Sequence, residues 1–556
     1  MTKFKLRKGL KVGDLAAEND QLLDKVFVDQ GHIEALLDTD DPRFLILGRT
    51  GSGKTALIRQ IKARAEHVSL INPEELSMQH IHNSQILRML TNWGVNLDVF
   101  YKFLWRHVCV LDIIRMRYGD SDDVPPLIQR AIALVSTSRR DEQKAKEVAQ
   151  TYLRNYGEEF WVTRDTRIRK IVDEVELRVR KDDKLGAHVM AGAAGLKTGS
   201  EEGRSARVSQ RVESDSMDRA QRVVGDYLIA DLKHLMDMLG KAGFNDPQKK
   251  YYLLIDDLDK NWMPDDALYL ELLKSLLYSV YDINRASPLQ GVKIIVALRE
   301  NIYHRIFQKA NPHEPQREKW LDVQMRLRWS KPELIELIDR RLAEVYREQY
   351  TQNPPTLESI LPARQRRTNE EASDFIFDRT FLRPRDVIDF VNTAISDAGS
   401  VSRLTWSNIT RAETEYSKRR RQSLFDEWKD SYFGMPLLFP LLTKLGPKFV
   451  LGDISDDDVN RILGHKNVEQ CAWMHRLQEA YCTSQMTLQE VKIEFAKALY
   501  LVGMIGVRHP QSHHVLYSYD QPFDSNPEIV SDATFYLHKM FWSSLGLSAG
   551  PNEKGS

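Results

Sequence analysis

The stretch RFLILGRTGSGKT, residues 43 to 55, constrains this chain more than any other. Phe44 to Leu47 form a short apolar run of the kind that fills a buried strand. Gly48, Arg49, Thr50, Gly51, Ser52, Gly53, Lys54 and Thr55 follow as a G-x-x-x-x-G-K-T pattern. Glycines at these positions let backbone N–H groups curl around phosphate oxygens without Cβ clashes. Lys54 is placed to reach the β- and γ-phosphates of a nucleotide, and the Thr55 hydroxyl to ligate magnesium (Mg²⁺). A helix predicted from Ala56, ALIRQIKARAE, points the positive end of its dipole at the same phosphates. A predicted strand before the loop and a predicted helix after it are what this mechanism requires. Residues 48 to 56 are therefore read as a nucleotide-binding loop rather than a structural glycine turn.

About two hundred residues later the chain reads YYLLIDDLDK, residues 251 to 260. Five large apolar residues end in three acids within four positions, and burying carboxylates beside an apolar strand is costly unless something pairs with them. A strand ending in carboxylates downstream of such a loop is the Walker B element. Asp256 is then the Mg²⁺-side residue, and Asp257 the group that orients or deprotonates the attacking water. Asp259 is read as structural, and Asp265 and Asp266, after Pro264, as the opening of the helix ALYLELLKSLLYSV. A third strand, GVKIIVALREN, puts Arg299 at its carboxyl end. In open α/β sheets that edge is where ligands bind, so Arg299 is a candidate γ-phosphate sensor, the alternative being an ordinary surface arginine.

Composition excludes little. The 556 residues carry 79 acids and 79 bases, so overall charge argues neither for nor against a nucleic acid partner. MTKFKLRKGL does not read as a signal peptide, and no apolar run approaches the roughly 18 residues of a membrane span. Cys109, Cys471 and Cys482 are scattered, which fits free thiols in a cytoplasmic setting.

The three motifs, in this order, resemble those of AAA+ and STAND-type P-loop ATPases. IDDLDK with the later ALRE is similar to the KAP and origin-recognition-like branches. More narrowly, residues 20 to 545 resemble a bacterial group of P-loop ATPases found among phage-defence and mobile-element genes. The resemblance implies ATP as the nucleotide; no guanine-reading N-K-x-D follows the core. It also implies a helical lid that supplies an arginine. RWSKPELIELIDRRLAEV carries a Ser330-x-x-Glu333 capping box with Pro332 in the first turn. FLRPRDVIDFVNTA starts a helix at Arg-Pro-Arg, where Arg385 best matches the sensor 2 position and Arg383 is the alternative. Many relatives complete their site with an arginine from a neighbouring subunit, and Arg317, Arg326 and Arg328 lie where one would sit, which implies a homo-oligomer.

The gap from Thr55 to Asp256 is long. HVSLIN supplies one strand, and FYKFLWRHVCVLDIIRMRY a helix whose aromatic stripe reads as core. His107 and Cys109 have no partners at ligand spacing. From Ser121 to Asn245 the chain reads as a helical insertion with a Gly, Ala and Ser-rich middle that is flexible or hairpin-like; Arg204, Arg207 and Arg211 there are diluted by Glu201, Glu202 and Glu213. TWSNITRAETEYSKRRRQSLFDEW reads as a long helix whose basic run, 418 to 421, is a solvated face or a phosphate contact.

Near the end, Thr487-Leu-Gln-Glu490 is a capping box, and Gly503 would stop the helix it opens. MIGVRH and HVLYSYD then read as two strands joined by PQSH, the layout of a winged helix. Its helix carries Lys492 and Lys497 against Glu490 and Glu494, a weak case for DNA. His509, His513 and His514 on the turn are read as surface residues.

The expected fold class is α/β: a P-loop NTPase parallel sheet core with a helical insertion, a helical lid and a C-terminal winged-helix-like domain. Residues 1–120 and 246–330 would form the core, 121–245 the insertion, 331–430 the lid and 431–556 the last domain. The expected activity is Mg-dependent ATP hydrolysis driving a conformational switch or assembly, with a separate effector protein as partner. Origin-recognition-like DNA binding and a nucleotide-gated scaffold are the alternatives. No membrane partner is expected.

Overall fold

The computed structural model describes residues 5–6, 9–71, 97–119, 146–150, 229–242, 244, 246, 248–258, 266–286, 288–308, 317–347, 354–366, 368–399, 401–520 and 529–547. Most of the expected insertion, including Arg204, Arg207 and Arg211, lies outside these residues, as do Asp259 and Asp265. The chain divides into two compact units. One comprises Gly31–Leu47 and Leu57–Met325; the other comprises Met1–Gln30, Gly48–Ala56 and Arg326–Ser556.

The first unit is built on a mixed α/β plan around five strands: β1 (Leu45–Gly48), β2 (His67–Ile71), β3 (Tyr251–Ile255), β4 (Val292–Arg299) and β5 (Gln324–Arg326). Their order in the sheet is β2-β3-β4-β1-β5. β2 and β4 both run parallel to β3, with Ile71 and Val296 opposite Ile255. Every residue of β3 is buried, and so are the first seven of β4, because helices cover both faces of a parallel sheet. β2 lies at the edge and leaves Leu70 40% exposed.

The aromatic stripe expected to be core is core: Tyr101, Phe103 and Trp105 of the Leu97–Tyr118 helix are buried. That helix packs on Asp266–Ala286, where the Trp105 indole N–H donates to the Leu272 carbonyl at 3.0 Å and Arg106 pairs with Asp282. His107 and Cys109 sit in the same packing. Burial holds the Cys109 thiol well above its usual range, so it is an inert core residue. No cluster of three metal-binding side chains occurs among the described residues.

One buried cation in this unit was not anticipated. Lys293 is the second residue of β4, 2% exposed, and its ammonium donates to the carbonyls of Ala35 and Asp38. These are at the end of the His32–Leu37 helix, where its dipole is negative. Burial pulls the lysine down to about 8 despite the nearby Asp41 and Asp38.

In the second unit one hydrophobic cluster joins Leu6, Val12 and Val28 to residues from Leu334 to Leu545. The helices expected for the lid form where capping predicts. Ser330 caps Lys331–Val345 with Glu333 in a complete capping box, and Pro384 opens Pro384–Ser396 at N1. Trp406–Tyr432 is the long helix, and here the basic run departs in part from expectation. Lys418 keeps to solvent, beside Glu415. Arg419 reaches Asp389 and Thr393, Arg420 is 6% exposed with Asp386 at 3.4 Å, and Arg421 donates to the Ser544 carbonyl. The run is therefore split: Lys418 and Arg419 are exposed, as a solvated face requires, while Arg420 is buried and Arg421 is half-buried against its own unit.

The C-terminal part begins with β6 (Lys448–Val450), followed by helices Asp456–Leu463, Ala472–Cys482 and Leu488–Val502. Two further strands, β7 (Ile505–Arg508) and β8 (Thr534–Leu537), follow. They form an antiparallel sheet of order β6-β8-β7. The Thr487 capping box is complete, and Gly503 ends the helix at φ 91°. The second expected strand, HVLYSYD, is not a strand. Its backbone pairs with β7 only at the Val507–Leu516 bridge, and Thr534–Leu537 is the strand that pairs along β7. Gly506 has no Cβ, and Val515 and the Tyr517 ring pack directly against it, where a Cβ would come within 2.6 and 2.7 Å of them. No helix among the described residues is long and apolar enough to cross a membrane.

Candidate functional site

The Gly48–Thr55 loop turns on two glycines, Gly51 at φ 79° and Gly53 at φ 103°, values that other residues adopt only with strain. At Gly48 the constraint is space, since a Cβ would stand 2.3 Å from the Ser52 hydroxyl. Five consecutive carbonyls of the loop are engaged. The Lys54 ammonium donates to Gly48 and Arg49 at 2.9 and 3.1 Å. Arg383 donates to Thr50 at 2.6 Å, the Arg385 backbone N–H to Gly51 at 3.4 Å, and the Trp329 indole N–H to Ser52 at 2.8 Å. In a trans peptide the following N–H points opposite to the carbonyl. Pinning each carbonyl therefore fixes the direction of the amide that follows it; among these amides, that of Ser52 bonds to the Arg49 carbonyl. The Thr50 and Ser52 hydroxyls are buried without a hydrogen-bond partner.

Arg-Pro-Arg divides its work. Arg383 is buried and forks onto Asp386, at 2.9 and 3.2 Å, while Glu427 lies at 3.8 Å. Burial alone would lower the guanidinium's pKa, but the two carboxylates raise it. Asp386, fully buried, would be raised by burial; Arg383 and Arg420 hold it below the usual carboxylate value instead. Arg385 is half-buried, and its Nε donates to the Leu15 carbonyl at 3.0 Å. Its Cβ would be 2.8 Å from a Cβ placed on Gly51. Burial, and then the nearby Arg383, lower its pKa. Of the two arginines, Arg383 is committed to the unit's interior, and Arg385 lies against the glycine turn.

Two contacts were not foreseen. Arg49, within the loop, donates to the carbonyl and hydroxyl of Ser518 at 2.6 and 3.1 Å. Arg328, one of the arginines considered for a neighbouring site, donates within its own chain to the Asp520 carbonyl at 2.5 Å. Burial pushes the Asp520 carboxyl up to about 6, against the pull of Arg328 and Arg49. Arg326 ends β5, and the side chain of Arg317 is outside the described residues. Trp329 was also missed. Its position immediately before the Ser330 cap was the one available signal.

The acids belong to the other unit. Asp256 follows β3 and is 7% exposed, and its carboxylate accepts the Asp257 N–H at 2.8 Å. Asp257 sits at φ 56°, in the left-handed region, at a cost of about 1 kcal/mol. The Tyr269 hydroxyl fixes the turn by donating to the Leu258 carbonyl at 3.1 Å. Arg299 is the last residue of β4 and half-buried, and Glu300 opens the next helix, Glu300–Gln308.

Comparison with known proteins adds two findings. Over 557 aligned residues, which cover 96% of this chain and 67% of the relative, the sequence is 20% identical to an 80.3 kDa protein assigned to transposon gamma-delta in Escherichia coli (strain K12). Residues 332–425, from the Lys331–Val345 helix into Trp406–Tyr432, match the family model described as the FunZ-associated C-terminal helical domain.

Proposed function

We propose that this chain binds ATP with Mg²⁺ at the Gly48–Thr55 loop and hydrolyses it, as a P-loop ATPase of the AAA+/STAND type. The observation that carries the reading is the set of five pinned carbonyls, which holds the glycine-rich loop in one shape with backbone amides to offer phosphate oxygens. The donor set suits the metal: the Thr55 hydroxyl and Asp256 carboxylate are hard oxygens of the kind Mg²⁺ takes together with nucleotide phosphates. When bound, the ion neutralises charge on the transferred phosphoryl group. Lys54 neutralises charge on the β- and γ-phosphates. Asp257, its backbone held out of the ordinary range by the Asp256 carboxylate, orients the attacking water and takes its proton. Arg299 and Arg385 respond to the γ-phosphate, and Gly48 to Ala56 supply the cradle.

The cycle drives a conformational switch or assembly in a homo-oligomer that hands its signal to a separate effector. A bacterial anti-phage setting is in keeping with the resemblance, and the relative's assignment to a transposon is in keeping with mobile elements. The strand–three helices–strand–strand order from 448 to 537 supports a winged-helix-like C-terminal domain used for docking. DNA binding gains no support there, because Lys492 pairs with Asp456 at 2.8 Å and Lys497 with Glu494 at 2.6 Å.

The test is Mg·ATP titration and phosphate release, with size measurement, on wild type, Lys54→Ala and Asp257→Asn. Lys54→Ala is expected to lose binding. Asp257→Asn is expected to bind normally, lose at least about a hundredfold in turnover, and hold an ATP-dependent larger species. Normal ATP binding by Lys54→Ala would refute the reading.

A further inference from the structure

We infer that Trp329 is a positioning residue for the loop, one that locks the Ser52–Gly53 peptide with its N–H turned toward phosphate. The inference rests on the nucleotide-binding reading above. A peptide flip rotates ψ of one residue and φ of the next, and it costs least where the next residue is glycine. The loop has two such peptides, Thr50–Gly51 and Ser52–Gly53, each leading into a glycine with positive φ. The structure places one tertiary donor on the carbonyl of each: Arg383 on Thr50 at 2.6 Å and Trp329 on Ser52 at 2.8 Å. A flip at Ser52–Gly53 would present a carbonyl oxygen where a phosphate oxygen must sit and withdraw an amide donor.

The indole is itself anchored. Its ring packs on the core of the second unit, and it directly precedes Ser330, the cap of Lys331–Val345. The ring edge lies 3.9 Å from the point where a Cβ on Gly53 would be, so it backs the glycine without crowding it. The start of the lid helix and the shape of the loop are thereby joined through one hydrogen bond. Arg383 holds the other peptide, but it is bound into a buried ion pair and cannot be altered without harming the fold. Trp329 is where the positioning role separates from stability.

The experiment is calorimetric titration of the full chain with Mg·ATP, comparing wild type with Trp329→Phe, which keeps the ring and removes the N–H. Melting of the nucleotide-free proteins is measured alongside. The expected result is a Kd about five- to tenfold weaker, the worth of one hydrogen bond, with stoichiometry and melting temperature unchanged. A purely structural role predicts lower melting temperature and stoichiometry with Kd preserved, and that result overturns the inference. If the variant melts early, titration below its transition still decides, because Kd alone is read. Wild-type Kd in Trp329→Phe overturns the positioning role and leaves the ATP reading standing. Absence of binding by wild type itself overturns both.

Discussion

Replacing Asp386 with Asn leaves the shape of the side chain and removes one charge from a site that water does not reach. Asp386 is fully buried, accepts twice from Arg383 and once from the Phe381 N–H, and has the Arg420 guanidinium at 3.4 Å. The variant confronts two buried guanidiniums, 4% and 6% exposed, with an amide that can accept from one while its own N–H groups oppose the other. Glu427 lies 3.8 Å from Arg383 and recovers a part of the loss. Breaking a buried pair of this kind costs about 3–5 kcal/mol. In a unit of this size each kcal/mol moves the melting temperature by roughly 2–4 °C, so a fall of about 10 °C is expected by differential scanning fluorimetry at neutral pH. The pH dependence follows from the sign of the shift. The folded carboxyl is lowered, so its stabilisation is present above the unfolded value near 3.8 and is lost as pH falls through the folded one. The gap between wild type and variant therefore persists from neutral pH down to about 4 and closes only in stronger acid. A fall of less than 2 °C, or a gap that closes near pH 6, would refute the account of this cluster.

His538 gives a second pH signature. Its Nδ1 accepts the Met540 N–H at 3.1 Å, its Nε2 pairs with the Tyr519 hydroxyl at 3.0 Å, and burial lowers it to about 3. The ring is neutral when folded and takes up a proton on unfolding below about 6.5, so stability should fall as pH drops from about 6.5 toward 3; melting curves of His538→Gln across this range should show a shallower slope. Gly51→Ala puts a Cβ 2.8 Å from Arg385 at φ 79°, a strain of about 1–2 kcal/mol, and should abolish Mg·ATP binding by titration while the protein still melts cooperatively.

What was legible in the sequence was whatever short-range rules control. The runs of apolar residues before Gly48, Asp256 and Arg299 gave β1, β3 and β4, because strands of a parallel sheet covered on both faces need no alternation. The Ser330 and Thr487 capping boxes formed as written, since each closes within four residues. Strand pairing at the C-terminal end was illegible, because a pair 26 residues or more apart competes with a hairpin that looks better locally. In the basic run at 418 to 421, the inward turn of Arg420 and Arg421 was illegible because their partners, Asp386 and Ser544, are distant in sequence. The same holds for the loop: its residues were readable, whereas Trp329 and Arg383 at its carbonyls lie about 280 and 330 positions away.

The long Trp406–Tyr432 helix is sealed from far downstream: Ser417 donates to the carbonyl of Met540, and Arg421 to that of Ser544, each 123 residues on. During synthesis this helix therefore waits, with one flank uncovered, for several seconds at ribosomal speed before the residues that cover that flank emerge. The span 332–425, although it matches a family model by itself, is a poor choice for isolated expression. Cut out, it would carry an apolar flank that Met540, Phe541 and Leu545 keep dry in the intact chain.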